Sequence, residues 1–268
     1  MRLPAVTLAL LLALPAAAGA QQTPPTVFFE DMTFNEIRDL IQGGYRTAIL
    51  PTGGTEQKGP HMALGEHNFV VAHNADKIAR ALGNTLVAPV ISYVPEGNYA
   101  PASGHMRMAG TISMPDTLGY TMLLEAAATS LKGSGFKTIL LIGDSGGNQN
   151  GMAATATKLN AAWQADGVKV IHVPDYYTKG GDAIDKYITD NLGIPADQVG
   201  GHGNISDTSQ LMAIRPDLIR ANKMEPGNAT NGVSGDPRKA SPYLGHIFSQ
   251  LKVDAALAQI RQLTGQER

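Results

Sequence analysis

Glu56, His61, Glu66 and His67 fall within the seventeen residues from Thr52 to Asn68, a stretch interrupted by glycines. Glycine lets such a loop fold back, so that carboxylates and imidazoles distant in sequence converge. In a chain with no cysteine these are the side chains left to hold a metal ion. Glu56 and His67 could both ligate a divalent cation, with His61 nearby. Read alone, the segment equally suits a solvated polar loop. A second cluster, Gly143-Asp144-Ser145-Gly146-Gly147-Asn148, follows an apolar run. Asp144 at a strand's carboxyl end is a natural ligand or base, and the glycines can offer amide donors to an oxyanion. A helix cap by Asp144 or Ser145 is the plainer alternative. The third cluster runs from Gly201 through His202 and Asp207 to Ser209, where a cap by Asp207 or Ser206 competes with chemistry.

These loops need a scaffold, and the hydrophobic pattern supplies one. Thr33 with Glu36 three residues on is a capping-box pattern ahead of a helix bearing Ile37, Leu40 and Ile41. Apolar runs at 47–50, 85–91, 138–142 and 169–173 read as strands. Helical spacing appears at 70–82, from a cap at Asp116 to about 132, at 152–163 and over 240–263. The run 138–142 is apolar almost throughout, as in the buried centre of a parallel sheet. Strand and helix alternate, which predicts a three-layer α/β/α sandwich with a mostly parallel central sheet. In such folds ligands bind beyond the carboxyl ends of the strands, where the clusters lie.

The 268 residues are 43% hydrophobic and 16% charged, with a net charge of −2. The balance gives no basic footprint for nucleic acid, and zero cysteines exclude disulfides and thiolate sites. Arg2, the apolar run 3–16 and Ala18-Gly19-Ala20 read as a cleaved signal peptide over 1–20. The apolar run is too short to span a bilayer. The expected product is exported, periplasmic or secreted, with no membrane attachment after cleavage. An extended arm over 21–32 and one domain over 33–268 complete the expected organisation.

Taken together and in order, the clusters resemble the creatininase (creatinine amidohydrolase) family. Its opening motif, Glu-Gln-His-Gly-Pro-His-Leu-Pro-Leu-Gly-Thr-Asp, is similar to the segment from Glu56 to His67. Its Phe-Pro-Gly-Thr-Ile-Ser resembles Met108 to Ser113, and its Asn-Gly-His-Gly-Gly-Asn resembles Gly143 to Asn148. A His-Ala-Gly…Glu-Thr-Ser motif looks like His202-Gly203-Asn204…Asp207-Thr208-Ser209, and a late Gly-Val-x-Gly-Asp-Pro matches Gly232 to Pro237. The string Gly-Asp-Ser-Gly-Gly also matches chymotrypsin-like proteases, but that family's other segments and its cysteines are missing.

The creatininase resemblance implies divalent ions, usually zinc or manganese, and a metal-activated water that opens a cyclic amide or related C–N bond of a small molecule. It implies a homo-oligomer, commonly a hexamer. Glu56 matches a metal ligand, while Lys58 stands where a ligand histidine is expected. His67 replaces a bridging Asp, Ser145 replaces another ligand histidine, and Asp207 replaces a Glu. His202 matches the histidine beside the scissile bond. The expectation is therefore one Zn or Mn ion per chain, held by Glu56, His67 and Asp144 or Asp207. His202 would act as general acid, and Lys58 would neutralise charge in place of a second ion. Gly146 and Gly147 would steady the oxyanion, and His61, His105 and Asn148 would contact substrate. Two alternatives stand beside it: a member that only binds a small ligand without metal, and a metal-free hydrolase with Ser145 as nucleophile aided by His202.

Overall fold

The run Thr47–Thr52 is buried at every position and forms β1, one of two inner strands. The structure is a computed structural model that describes residues 24–115 and 119–265. The expected signal peptide and the expected cap at Asp116 lie outside the described residues. With β2 (Thr85–Val87), β3 (Thr138–Gly143) and β4 (Lys169–His172), β1 makes a four-stranded sheet in the order β2-β1-β3-β4. All three pairings are parallel. Ile49 sits opposite both Val87 and Leu140.

Alternation along the strands divides the core. Ala48, Leu50, Ile139 and Leu141 face α1 (Phe34–Gln42), α3 (Tyr120–Ser134) and α4 (Asn148–Ala162). Ile49, Leu140 and Ile142 face α2 (Glu66–Leu82) and α8 (Pro242–Thr264). These are the three layers the sequence predicts. Beyond the second layer, α5 (Thr178–Leu192), α6 (Ala196–Val199) and α7 (Ile205–Ile214) pack on α8 around Phe248 and Ile188.

The capping box at Thr33 forms as expected. Several boundaries move. The strand expected over 85–91 ends at Val87, because Pro89 cannot donate to a ladder. Helix α2 starts at Glu66 rather than Val70, which transfers His67 from loop to helix. Helix α4 begins at Asn148, and α7 is capped by Asn204, which accepts from the amides of Ser206 and Asp207. The arm is not extended throughout: Phe29–Asp31 form a 3-10 turn, while Val27 O accepts from Val87 N at the sheet edge. No described helix is long and apolar enough to cross a membrane.

Candidate active site

Every strand of the sheet sends a loop from its carboxyl end toward one cavity of about 920 Å³, a size suited to a small-molecule ligand. The loop after β1 brings Glu56 and Lys58, and the one after β2 brings Glu96 and His105. The turn after β3 brings Asp144, Ser145, Gly146 and Gly147. Tyr177 and the start of α5 close another side, and Asp207 and Lys252 arrive from α7 and α8. Close backbone approach makes this convergence possible. A Cβ on Gly54 would stand 2.2 Å from Glu96 Oε1, and one on Gly147 would stand 2.0 Å from Pro95 O.

The inner wall is a network of buried charges. Lys58 Nζ lies 3.1 Å from Glu56 Oε1, 3.3 Å from Glu66 Oε2 and 3.0 Å from Asp207 Oδ2. His67 is aimed at acids from both ring nitrogens: Nε2 is 2.9 Å from Glu56 Oε1 and Nδ1 is 2.8 Å from Asp144 Oδ2. Asp144 Oδ1 also accepts from Lys252 Nζ at 2.7 Å and from Tyr176 Oη at 2.6 Å.

Burial opposes the charge on each of these groups, but partners outweigh it at most of them. Burial would raise Glu56, yet Lys58 and His67 hold it well below the carboxylate range. Asp144 is likewise held low by Lys252 and His67. Burial and Lys58 oppose the imidazolium of His67, but Glu66, Asp144 and Glu56 raise it far above its ordinary value. Glu66 is the exception: burial pushes it up to about 7 against the pull of His67 and Lys58. Lys58, His67 and Lys252 thus face ionised Glu56, Asp144 and Asp207, and the inner wall is close to neutral.

The outer wall differs. His105 Nε2 lies 3.0 Å from Glu56 Oε2, and His202 Nδ1 lies 3.6 Å from Glu56 Oε1. The two imidazoles stack at 4.3 Å. Burial, then Lys58, lowers His202 to about 4, and burial lowers His105, so both rings are neutral at pH 7. His202 Nε2 donates to Gln57 O at 2.6 Å, which leaves Nδ1 as the lone-pair nitrogen toward Glu56. Glu56 Oε2 is buried and accepts no hydrogen bond, and Glu96 Oε1 is in the same position. Burial and the adjoining Glu56 carboxylate push Glu96 up to about 9. A carboxyl held that high keeps its proton at pH 7, and that proton, with the His105 Nε2 nitrogen 3.0 Å from Glu56 Oε2, can serve the two oxygens.

Two sets of described residues have ligand atoms mutually within 4.8 Å: Glu66, His67 and Asp144, and Glu56, His105 and His202. The first does not fit a metal ion. Its histidine donates from both nitrogens, and its carboxylates already face Lys58 and Lys252. The second can hold one ion: a buried carboxylate, two neutral imidazoles, and a side open to the cavity at Glu56 and His105. Three protein ligands with one open position is the pattern of catalytic zinc.

Glu56 and His67, expected as ligands, do meet, with Asp144 one bond further on. Asp207, also expected as a ligand, is held by Lys58 and by the Gly203 amide at 2.9 Å. Ser145 donates to Glu96 Oε2 at 3.3 Å, and His202 is 145 residues from the Gln57 carbonyl it binds. Gly146, Gly147 and His105 line the cavity. His202, expected beside the scissile bond, is not part of its lining, and neither are two of the residues expected at substrate. His61 is fully buried against Thr208 Oγ1 at 2.9 Å, and Asn148 spends its amide on Thr52 and Gly53 at the end of β1. Glu96, Lys252 and Gln57 were not singled out from the sequence. Glu96 sits in a Gly/Pro-rich loop past a strand end, which is a usable signal; Lys252 is one lysine in a long helix and carries none.

This is an α/β sandwich with a titratable cavity at the carboxyl end of its sheet. The family model for creatinine amidohydrolase (creatininase) matches residues 30–260, and the chain belongs to the creatininase family. A 3-dehydro-scyllo-inosose hydrolase of Thermotoga maritima is 27% identical over 199 residues, 74% of this chain, and the match spans 59% of that protein. A mycofactocin precursor peptide peptidase of Mycobacterium ulcerans is 24% identical over 243 residues, covering 81% of this chain and 85% of the relative. Among solved structures, a creatinine amidohydrolase (creatininase) superposes with a TM-score of 0.74 at 19% identity, over 91% of this chain and 100% of the other. Other solved creatininases are described as an Mn form and a Zn–Zn form.

Proposed function

We propose that this protein is a hydrolase that cleaves a C–N bond, of a cyclic amide or a related group, in a small molecule, with one divalent ion held by Glu56, His105 and His202. The observation that carries the reading is the buried Glu56 carboxylate, set against two neutral imidazoles of which His105 lines the cavity. Zinc or manganese is the expected ion, and when bound it supplies a water whose pKa falls toward about 7. The chain's own groups do the rest. The Gln57 carbonyl fixes the His202 tautomer, as outer-shell partners of metal-binding histidines do. Lys58 and His67 hold Glu56 ionised. Glu96, Ser145 and the backbone of Gly146 and Gly147 form the wall opposite, where amides can steady a developing oxyanion. Export through a leader at 1–20 and assembly as a homo-oligomer belong to the same reading and rest on the sequence.

The test is elemental analysis of protein purified without added metal, joined to hydrolysis of a panel of lactams and cyclic ureas. About one Zn or Mn per chain, with activity lost to EDTA and restored by that ion, is expected. Metal-free protein that retains hydrolysis, or a fluorophosphonate label abolished by Ser145→Ala, would replace this reading with the serine-nucleophile one.

A further inference from the structure

Strand β4 ends before β3 does. Leu141 O accepts from Val173 N at 3.0 Å, and Pro174, which has no N–H, then leads the chain into a 3-10 turn over Pro174–Tyr176. By the alternation of the strand, Gly143 O is the next acceptor on that side. Gln149, in the first turn of α4, takes the place of the missing strand. Its Nε2 donates to Gly143 O at 3.1 Å and to Ser145 O at 3.0 Å. The two carbonyls flank Asp144, and Gly146 and Gly147 follow at the cavity wall. With both amide hydrogens spent, Gln149 Oε1 is fixed as the acceptor, and it lies 2.9 Å from His172 Nε2. His172 must therefore carry its proton on Nε2. Burial lowers the pKa of this ring, so it is neutral at pH 7 and Nδ1 is the bare nitrogen.

We propose that Gln149 is a positioning residue that sets the turn from Asp144 to Gly147, and that His172 orients it from the edge strand. Neither side chain lines the cavity, so both act through the turn. What the turn does rests on the hydrolase reading above: Asp144 anchors His67 and Lys252, and the amides of Gly146 and Gly147 meet the developing oxyanion. A displaced turn moves those amides from the point where charge develops, which costs rate more than binding.

The experiment has two arms. Long-range 1H–15N correlation spectra of the wild type at pH 7 should show His172 with its proton on Nε2; a proton on Nδ1 overturns the proposal. In the second arm, variants are compared with the wild type on the lactam or cyclic urea that it hydrolyses best. His172→Phe, which has no donor, should lower kcat by about 10-fold while KM and metal content hold. His172→Gln, whose amide can donate to Gln149 Oε1, should restore most of that loss, and Gln149→Met should match His172→Phe. A wild-type kcat in His172→Phe, or no rescue by His172→Gln, overturns the proposal. If the wild type hydrolyses no member of the panel, the hydrolase reading fails separately, and the brace is judged on the amide resonances of Gly146 and Gly147. They should move in His172→Phe, or in Gln149→Met if that variant does not fold, and return in His172→Gln. Resonances that stay in place overturn it equally.

Discussion

Two trios of potential ligands lie side by side at the carboxyl end of the sheet, each compact enough to grip an ion. In the inner trio of Glu66, His67 and Asp144, the histidine is an imidazolium clamped between acids, and two lysine ammoniums face the carboxylates. In the outer trio of Glu56, His105 and His202, burial keeps both imidazoles neutral. Both sets are compact, but the inner one has two carboxylates and one histidine and the outer one the reverse. The cations already present separate them: a site whose charge is balanced by its own side chains has little to gain from a metal, because each ligand must first give up a partner or a proton.

Replacing Lys58 should give the largest effect. Lys58→Met leaves buried carboxylates uncompensated, and breaking a buried pair from one side costs about 3–5 kcal/mol. At about 2–4 °C per kcal/mol for a chain of this size, the melting midpoint should fall by roughly 6–20 °C. A fall of only a degree or two would mean that the inner wall is not held by charge.

Next come the ligands. His202→Ala should lower zinc affinity by more than about 100-fold, beyond what losing an outer-shell partner costs. Glu66→Gln should leave the ion bound. The reverse pattern in a zinc titration would move the metal to the inner trio.

A smaller effect separates the trios by pH. Burial raises the folded-state pKa of Glu66 from 4.5 to about 7. For an acid shifted upward, the stabilising protonated form is fully present below the unfolded value and is lost as pH rises through the folded one. The wild type should therefore lose stability relative to Glu66→Gln between about pH 4.5 and 7. Parallel melting curves for the two proteins across that range would count against a strained Glu66.

The smallest effect is the control. Lys186 and Asp190 pair at i,i+4 on the surface of α5, 76% and 55% exposed. Lys186→Ala should change stability by less than about 1 kcal/mol in chemical denaturation.

The layers of the fold were legible because the strand at 138–142 is apolar on both faces and helical runs alternate with the strands. Helix α5 is not legible in the sequence because its Lys179-Gly180-Gly181-Asp182 start reads as loop, although a Cβ on Gly180 would stand 3.0 Å from Lys252 Cα. Glu56, His67, Asp144, Ser145, His202 and Asp207 could be found because three separate clusters of acids, hydroxyls and histidines with glycine all fall past strand ends, where ligands bind in such folds. Their partners could not. Whether His67 is a ligand or an imidazolium depends on Glu66, Asp144 and Lys58 in space, and Lys252 reaches the site from 108 residues beyond Asp144. His61 shows the converse: it looks chemical in its motif, yet it bonds Thr208 in the interior.

The most direct measurement is an anomalous difference map, collected at the zinc edge, from crystals of the protein grown with zinc. A single strong peak is expected between Glu56, His105 and His202, and none at Lys58 or between Glu66, His67 and Asp144. A peak in the inner trio, paired peaks spanning both, or a clean map at full zinc occupancy of the solvent would contradict it.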